Sequence, residues 1–198
     1  MIWWPSEVPT IQNGQFTLRP VSEADIDAIY QSCQDPLIPH FTTVPADYTK
    51  ELAEGFVRTK TPQLFEERKA VHWVFTVNKQ VSTDALLVNG ETFIGPFSIH
   101  AIESDNHIGE VGYWLNKAVR GHGFAAIATR MITGYAFETF GFRRLAGLVD
   151  NDNEASKKTL LSAGYQHEGL LKNRVTRADG KQIDMDLFAA TPETWANL

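Results

Sequence analysis

Apolar residues alternate with polar ones, or gather into short runs, in one set of segments, and recur every three or four residues in another. Phe16 to Arg19 alternates and predicts a strand closed by Pro20. Ser22 followed three residues later by Asp25 marks a helix start, and Ala24, Ile26, Ala28 and Ile29 carry the helix toward Asp35-Pro36, which ends it. A second helix is expected from Lys50 to about Phe65. Trp73 to Val77, Phe93 to Ile102 and Glu110 to Leu115 then predict three strands of an antiparallel sheet. Between the first two, the polar connection Asn78 to Gly90 holds an apolar island at Ala85 to Val88, and Asn89-Gly90 suits a tight turn.

Phe124 to Phe140 reads as a long helix, because Phe124, Ile127, Ala128, Met131 and Tyr135 fall on one stripe. Leu145 to Val149 is the next strand, and strand, helix, strand implies a parallel crossover. A shorter helix, Glu154 to Ala163, ends at Gly164. Two last strands, about Tyr165 to Val175 and Gln182 to Ala189, flank Asp179-Gly180 as a hairpin, while Met1 to Asn13 reads as irregular. The sum is an α+β fold: a mixed, mostly antiparallel seven-stranded sheet with a central parallel crossover and flanking helices.

The 198 residues fit one domain with its core at about 16–189, since no repeat or linker marks a second. A formal charge of −6 argues against a nucleic-acid partner, which would need clustered Lys and Arg, and is compatible with a basic acceptor. Cys33 stands alone, so no intrachain disulfide or thiolate cluster is possible, and it reads as a buried structural thiol. His40, His72, His100 and His107 lack metal-ligand spacing, and no metal is expected. Met1 to Pro9 lacks the features of a signal peptide and no run of eighteen apolar residues occurs, so a cytoplasmic protein without a membrane partner is expected.

The candidate chemistry centres on Gly112 to Ala125, where a strand enters a glycine-rich turn that opens an amphipathic helix. Gly121 and Gly123 allow positive φ and close backbone approach, and free N–H groups at a helix mouth attract an anion such as a pyrophosphate. Arg120 could add a charge-assisted contact. The missing Lys-Ser/Thr pair argues against a triphosphate loop, and the missing third glycine argues against a dinucleotide fingerprint. Taken alone, the same turn serves equally as a tight strand-to-helix connection.

Other motifs agree in order along the chain: Phe16-Thr-Leu-Arg-Pro-Val with Asp25, Gly112-Tyr-Trp-Leu, Arg120-Gly-His-Gly-Phe-Ala, Tyr135-Ala-Phe, Asn153-Glu-Ala-Ser156, Ala163-Gly-Tyr165 and Glu168-Gly169. Over about Phe16 to Ala189 the chain resembles the GNAT acyltransferase superfamily, particularly its Rim-type branch, which acetylates protein N-termini. Ala118 stands where the family signature has Gln or Arg, which removes one side-chain contact and leaves the backbone cradle. The resemblance implies the GNAT fold and acetyl-CoA as co-substrate. It implies backbone contacts from Trp114, Leu115 and Asn116 to the pantetheine arm, a pyrophosphate cradle of Arg120, Gly121, His122, Gly123, Phe124 and Ala125, and a pantetheine contact from Asn153. For Asn153 and Ser156, plain helix capping is the alternative.

Transfer of an acyl group to an amine needs a base for the ammonium, whose pKa is about 8 for an α-amino group, and an acid for the thiolate. Leu160 occupies the position of the family's usual tyrosine acid, so the resemblance points to Ser156 for that role and to Glu110 as base; an ion pair is the alternative for Glu110. Tyr113, on the opposite face, and His122 are weaker candidates, and Glu168 reads as structural. Candidate residues for the acceptor side are Phe41, Tyr48, Trp73, His100 and Arg174, each of which could equally serve in the core or at the surface. Three functions follow: acetylation of a protein N-terminus, acetylation of a small amine, or a noncatalytic acyl-CoA-binding module, acting as monomer or homodimer.

Overall fold

The computed structural model describes residues 2–177 and 180–196. Its strands are β1 (Ile11–Asn13), β2 (Phe16–Pro20), β3 (Val71–Val77), β4 (Leu87–Val88), β5 (Glu91–Glu103), β6 (Ile108–Tyr113), β7 (Arg144–Asp150), β8 (Gln166–Thr176) and β9 (Gln182–Ala190). They form one sheet in the order β1-β2-β3-β5-β6-β7-β9-β8, with β4 attached to β5. Only β6 and β7 pair in parallel among the described residues, which is the predicted crossover. The seven strands read from the sequence are present, joined by β1 and β4, whose three and two residues are too short to register a period. Asn89 and Gly90 both take positive φ, 52° and 85°, as a tight hairpin turn between β4 and β5 requires. Of the other predicted hairpin, Asp179 lies outside the described residues.

The helices differ from expectation in detail. After a tight turn at Glu23–Asp25, α1 (Ile26–Ser32) stops before Asp35, and α2 (Leu37–Phe41) starts directly after Pro36. The helix expected over Lys50 to Phe65 is α3 (Lys50–Gly55) and α4 (Thr61–Glu66) joined by a widened turn at Phe56–Lys60. Pro62 supplies the reason, since it has no N–H for the preceding turn and its ring crowds that turn's carbonyl. The long helix is α5 (Phe124–Tyr135) with a wide last turn at Ala136–Phe140. It is followed by α6 (Glu154–Ala163) and a short α7 (Pro192–Trp195).

Alternation along the strands divides the molecule into two layers of core. Trp73, Phe75, Phe97, Ile99, Leu145 and Phe188 point to the face covered by α5 and α6. His72 and Val74 point to the other face, where Val74 joins Ile29, Ile38, Ala53 and Val57 of the N-terminal helices. Met1 to Asn13, expected to be irregular, is tied down before β1 by Trp3 N–H donating to Phe140 O at 2.9 Å and by Trp73 Nε1–H donating to Pro9 O at 2.8 Å.

A buried ion pair joins the two layers' N-terminal edge. Arg19 on β2 donates to both carboxylate oxygens of Asp25, at 2.8 and 2.6 Å, and Ser22 N–H and Oγ–H add bonds to Oδ2 at 2.8 and 3.0 Å. Asp25 is fully buried, so the Arg-Pro-Val and Asp25 motif staples the first helix to the sheet. Asp25→Ala leaves Arg19 without its counter-charge and should lower unfolding free energy by about 3 kcal/mol, measured by urea denaturation.

Candidate active site

The parallel strands β6 and β7 are paired only at Ile108–Arg144, Gly109–Leu145 and Glu110–Ala146. Beyond these pairs each strand follows its outer neighbour. β6 stays on β5 through Tyr113–Phe97, and β7 stays on β9 through Asp150–Met185. The result is a fork opening past Glu110 toward the glycine turn. Gly95 accounts for the departure of the β6 arm: it lies at a bulge in β5 with φ 154°, and a Cβ there would overlap the Trp114 carbonyl oxygen. Trp114 N–H donates to Pro96 O at 3.4 Å and Asn116 N–H to Ile94 O at 2.9 Å. Those two amides are therefore turned toward β5, and alternation directs the Leu115 amide into the fork.

At the end of this arm, Asn116 is buried and both polar ends of its side chain are bonded. Its Oδ1 accepts from Ala118 N–H at 2.8 Å, and its Nδ2 donates to Ser32 Oγ of α1 at 2.9 Å. Arg120 is likewise occupied, donating twice to Leu115 O, at 3.1 and 2.8 Å, and pairing with Asp35 at 2.7 Å. These contacts fasten the turn to the N-terminal helices. The turn itself is open. Gly121 and Gly123 have φ of 83° and 76°, and a Cβ on either would meet nothing within 4 Å. The amides of Gly121, His122, Gly123, Phe124 and Ala125 have no protein acceptor among the described residues, and they stand at the start of α5. His122 is exposed, stacks on Phe124 and bonds Arg120 O through Nδ1.

On the α5/α6 face of the fork, Tyr113 Oη and Ser156 Oγ lie 3.0 Å apart. Burial pushes the Tyr113 phenol up to about 12, against the opposing pull of its bonds to Ser156 and Thr159, so the pair is neutral and protonated at physiological pH. Asn153 caps α6, its Oδ1 accepting from Ser156 N–H at 3.1 Å, and its side-chain NH2 has no protein partner among the described residues. Leu160, at the position of the family tyrosine, is 1% exposed and packs on β7, where a Cβ at Gly147 would lie 2.6 Å from Leu160 Cδ1.

On the other face, Glu110 stands opposite His100 of β5, with Oε2 and Nε2 3.9 Å apart. Phe41 and Tyr48 are half-buried, Tyr48 against the N-terminal helices. Trp73 corrects the sequence reading, because it is fully buried on the opposite face and no acceptor reaches it. Arg174 is exposed on the edge strand β8 and is not brought to Glu110. Arg177 instead reaches over to Asp150 at the end of β7. Glu168 pairs with Arg144. Cys33 is buried, and burial pushes its thiol up to about 12.

The family model "Acetyltransferase (GNAT) domain" matches residues 15–166. Bacillus subtilis YoaA, named as an N-acetyltransferase, is 24% identical over 181 residues, covering 91% of this chain and 96% of its own. The ribosomal-protein-serine acetyltransferase of Escherichia coli is 28% identical over 104 residues, 52% of this chain and 58% of its own. The solved structure of RimL, a ribosomal-protein α-N-acetyltransferase in complex with coenzyme A, superimposes with a TM-score of 0.78 at 18% identity, covering 94% of this chain and 99% of that one. The chain belongs to the GNAT acetyltransferase family and is an N-acetyltransferase that uses acetyl-CoA.

Gly95→Ala should force the β6 arm off β5, lowering stability by about 3 kcal/mol and weakening coenzyme A binding, measured by urea denaturation and calorimetry. Wild-type values for both would remove Gly95 as the element that sets the fork.

Proposed function

We propose that this enzyme acetylates the N-terminal amine of a protein by direct attack of the amine on the thioester of acetyl-CoA, across the fork between β6 and β7. The observation that carries this reading is the fork, with protonated hydroxyls on one face and a carboxylate with an imidazole on the other. The donor's diphosphate lies against the amides of residues 121–125, where the helix mouth favours negative charge. The arm runs past the Leu115 amide and the Asn153 side chain, which brings the thioester sulfur to Ser156. Arg120, held by Leu115 and Asp35, shapes the cradle rather than reaching for phosphate.

The ammonium enters from the Glu110 and His100 face and loses a proton there. Its nitrogen then adds to the thioester carbonyl. As the carbon–sulfur bond breaks, Ser156, hydrogen-bonded to the Tyr113 phenol, protonates the departing thiolate. A protein acceptor is favoured by the similarity to acetyltransferases named for ribosomal-protein substrates and by the net charge of −6, which suits basic partners.

Three measurements test the reading. Peptides with a free N-terminus should gain one acetyl group in mass spectrometry, and Nα-blocked peptides should not; acetylation of small amines alone would replace the peptide assignment. Gly123→Asp should weaken coenzyme A binding at least about 100-fold, by setting a carboxylate against the diphosphate, while the protein stays folded. Ser156→Ala should lower kcat about 100-fold and leave the KM for acetyl-CoA within about threefold, a split that marks loss of a transition-state interaction.

A further inference from the structure

The acceptor face carries a polar row that runs across three strands. His72 of β3 pairs in register with Ser98 of β5, Ser98 with Gly112 of β6, and His100 with Glu110. His100 is set by contacts on two sides. A Cβ at position 112 would lie 2.7 Å from His100 Cε1 and 3.2 Å from Nδ1, so the ring lies over β6 only because residue 112 is glycine. The backbone beside it is also diverted. Ala101 takes φ 47°, a costly value for a residue with a Cβ, at the irregularity in β5 between His100 and Glu103. Bulges of this kind re-aim side chains next to active sites.

Ser98 Oγ lies within reach of both the Gly112 carbonyl oxygen and His100 Nδ1, and the destination of its one hydrogen sets the ring tautomer. Ser98 Oγ donates to the Gly112 carbonyl oxygen at 3.4 Å, which uses its only hydrogen. With its hydrogen on the carbonyl, Ser98 Oγ accepts from His100 Nδ1, 3.3 Å away, and this arrangement places the proton of the neutral ring on Nδ1. The lone pair is left on Nε2. That atom faces Glu110 Oε2 across 3.9 Å, too far for a direct bond; an ammonium nitrogen bonded at about 2.8 Å to each needs a separation of about 4.6 Å at the tetrahedral angle, which a small side-chain shift supplies.

We propose that His100 Nε2 takes the proton from the acceptor ammonium while Glu110 holds that ammonium, with Ser98 and Gly112 as positioning residues that fix the ring's tautomer and place. This rests on direct transfer to an amine, and exchanges the role of base between the two groups at the mouth of the fork. The balance is simple. The ammonium gives one proton to Nε2, which passes it to solvent. The nitrogen lone pair then forms the bond to the thioester carbon. As the carbon–sulfur bond breaks, the nitrogen's second proton is offset by one delivered to the thiolate, so the products are the amide, free thiol and one released proton.

The charged and titratable neighbours agree with a neutral ring. Burial lowers the His100 pKa from its ordinary value, and only Glu110 opposes this. His72, facing it from β3, is held down to about 4 by burial, by His100 and by Lys60 of the widened turn between α3 and α4, so it is uncharged at neutral pH. Above about pH 6.5, the unperturbed histidine value, His100 is therefore ready to accept a proton.

The test combines kinetics with a readout that needs no acceptor. For wild type, kcat/KM should be level from about pH 6.5 to the amine's own pKa near 8, because the base is neutral and the ammonium form binds. His100→Gln can use only the free amine. Its deficit should be about 100-fold at pH 6.5 and narrow about tenfold per pH unit toward 8.5, with thermal unfolding unchanged. Glu110→Gln should raise the KM for the amine and keep the level profile. The amines are a free-N-terminus hexapeptide and, separately, a small primary amine. If only the small amine reacts, the peptide assignment fails and the profile is taken with that amine. Nitrogen-15 NMR of the protein alone should show His100 protonated at Nδ1, with Ser98→Ala moving the proton toward Nε2. A ring protonated at Nε2 in wild type, a His100→Gln profile parallel to wild type, or the slope appearing in Glu110→Gln instead would each overturn the assignment.

Discussion

The structure depends on a refusal of two adjacent parallel strands to continue pairing. β6 and β7 share three register pairs and then part, each held past that point by its outer neighbour. A sheet normally closes such a gap, since unpaired backbone groups in an apolar setting are costly. Here the separation is enforced by geometry at Gly95, where the Trp114 carbonyl occupies the space of an absent side chain, and by Asn116, which ties the end of β6 to α1. The unpaired amides and carbonyls inside the fork are thereby available to an extended, polar, amide-containing arm such as pantetheine.

The same alternation that builds the core distributes the chemistry. Because successive residues of β6 point to opposite faces, Glu110 and Gly112 face the acceptor side while Val111 and Tyr113 face α5 and α6. The carboxyl and imidazole of Glu110 and His100 on one side and the two hydroxyls of Tyr113 and Ser156 on the other are thus separated by the thickness of one strand, with the fork between them. The flanking elements then hold each side. α6 presents Ser156 to Tyr113 from its first turn, and the bulged end of β5 presents His100 to Glu110.

Much of this was legible in the sequence because periodicity and glycine placement are local. The strands with several alternating residues, the α5 stripe and the Gly121/Gly123 turn all follow from neighbours in the chain. What the chain hid is what depends on register. The aromatic type of Trp73 does not reveal which face it takes; only pairing with Phe97 puts it in the core. Tyr113 and Ser156 are 43 residues apart, and nothing local joins them. The place of Arg120 beside the glycine turn suggests a phosphate contact, and only the fold shows that its side chain also bonds Leu115 O and Asp35. Gly95 did leave a signal: a Gly-Pro pair inside an apolar run marks a bulge or a close backbone approach.

The most direct measurement is a crystal structure of the protein with acetyl-CoA. The account predicts the diphosphate against the amides of residues 121–125, the arm between β6 and β7 beside Leu115, and the sulfur near Ser156. A donor bound elsewhere, or strands that close and pair beyond Glu110 and Ala146, would contradict it.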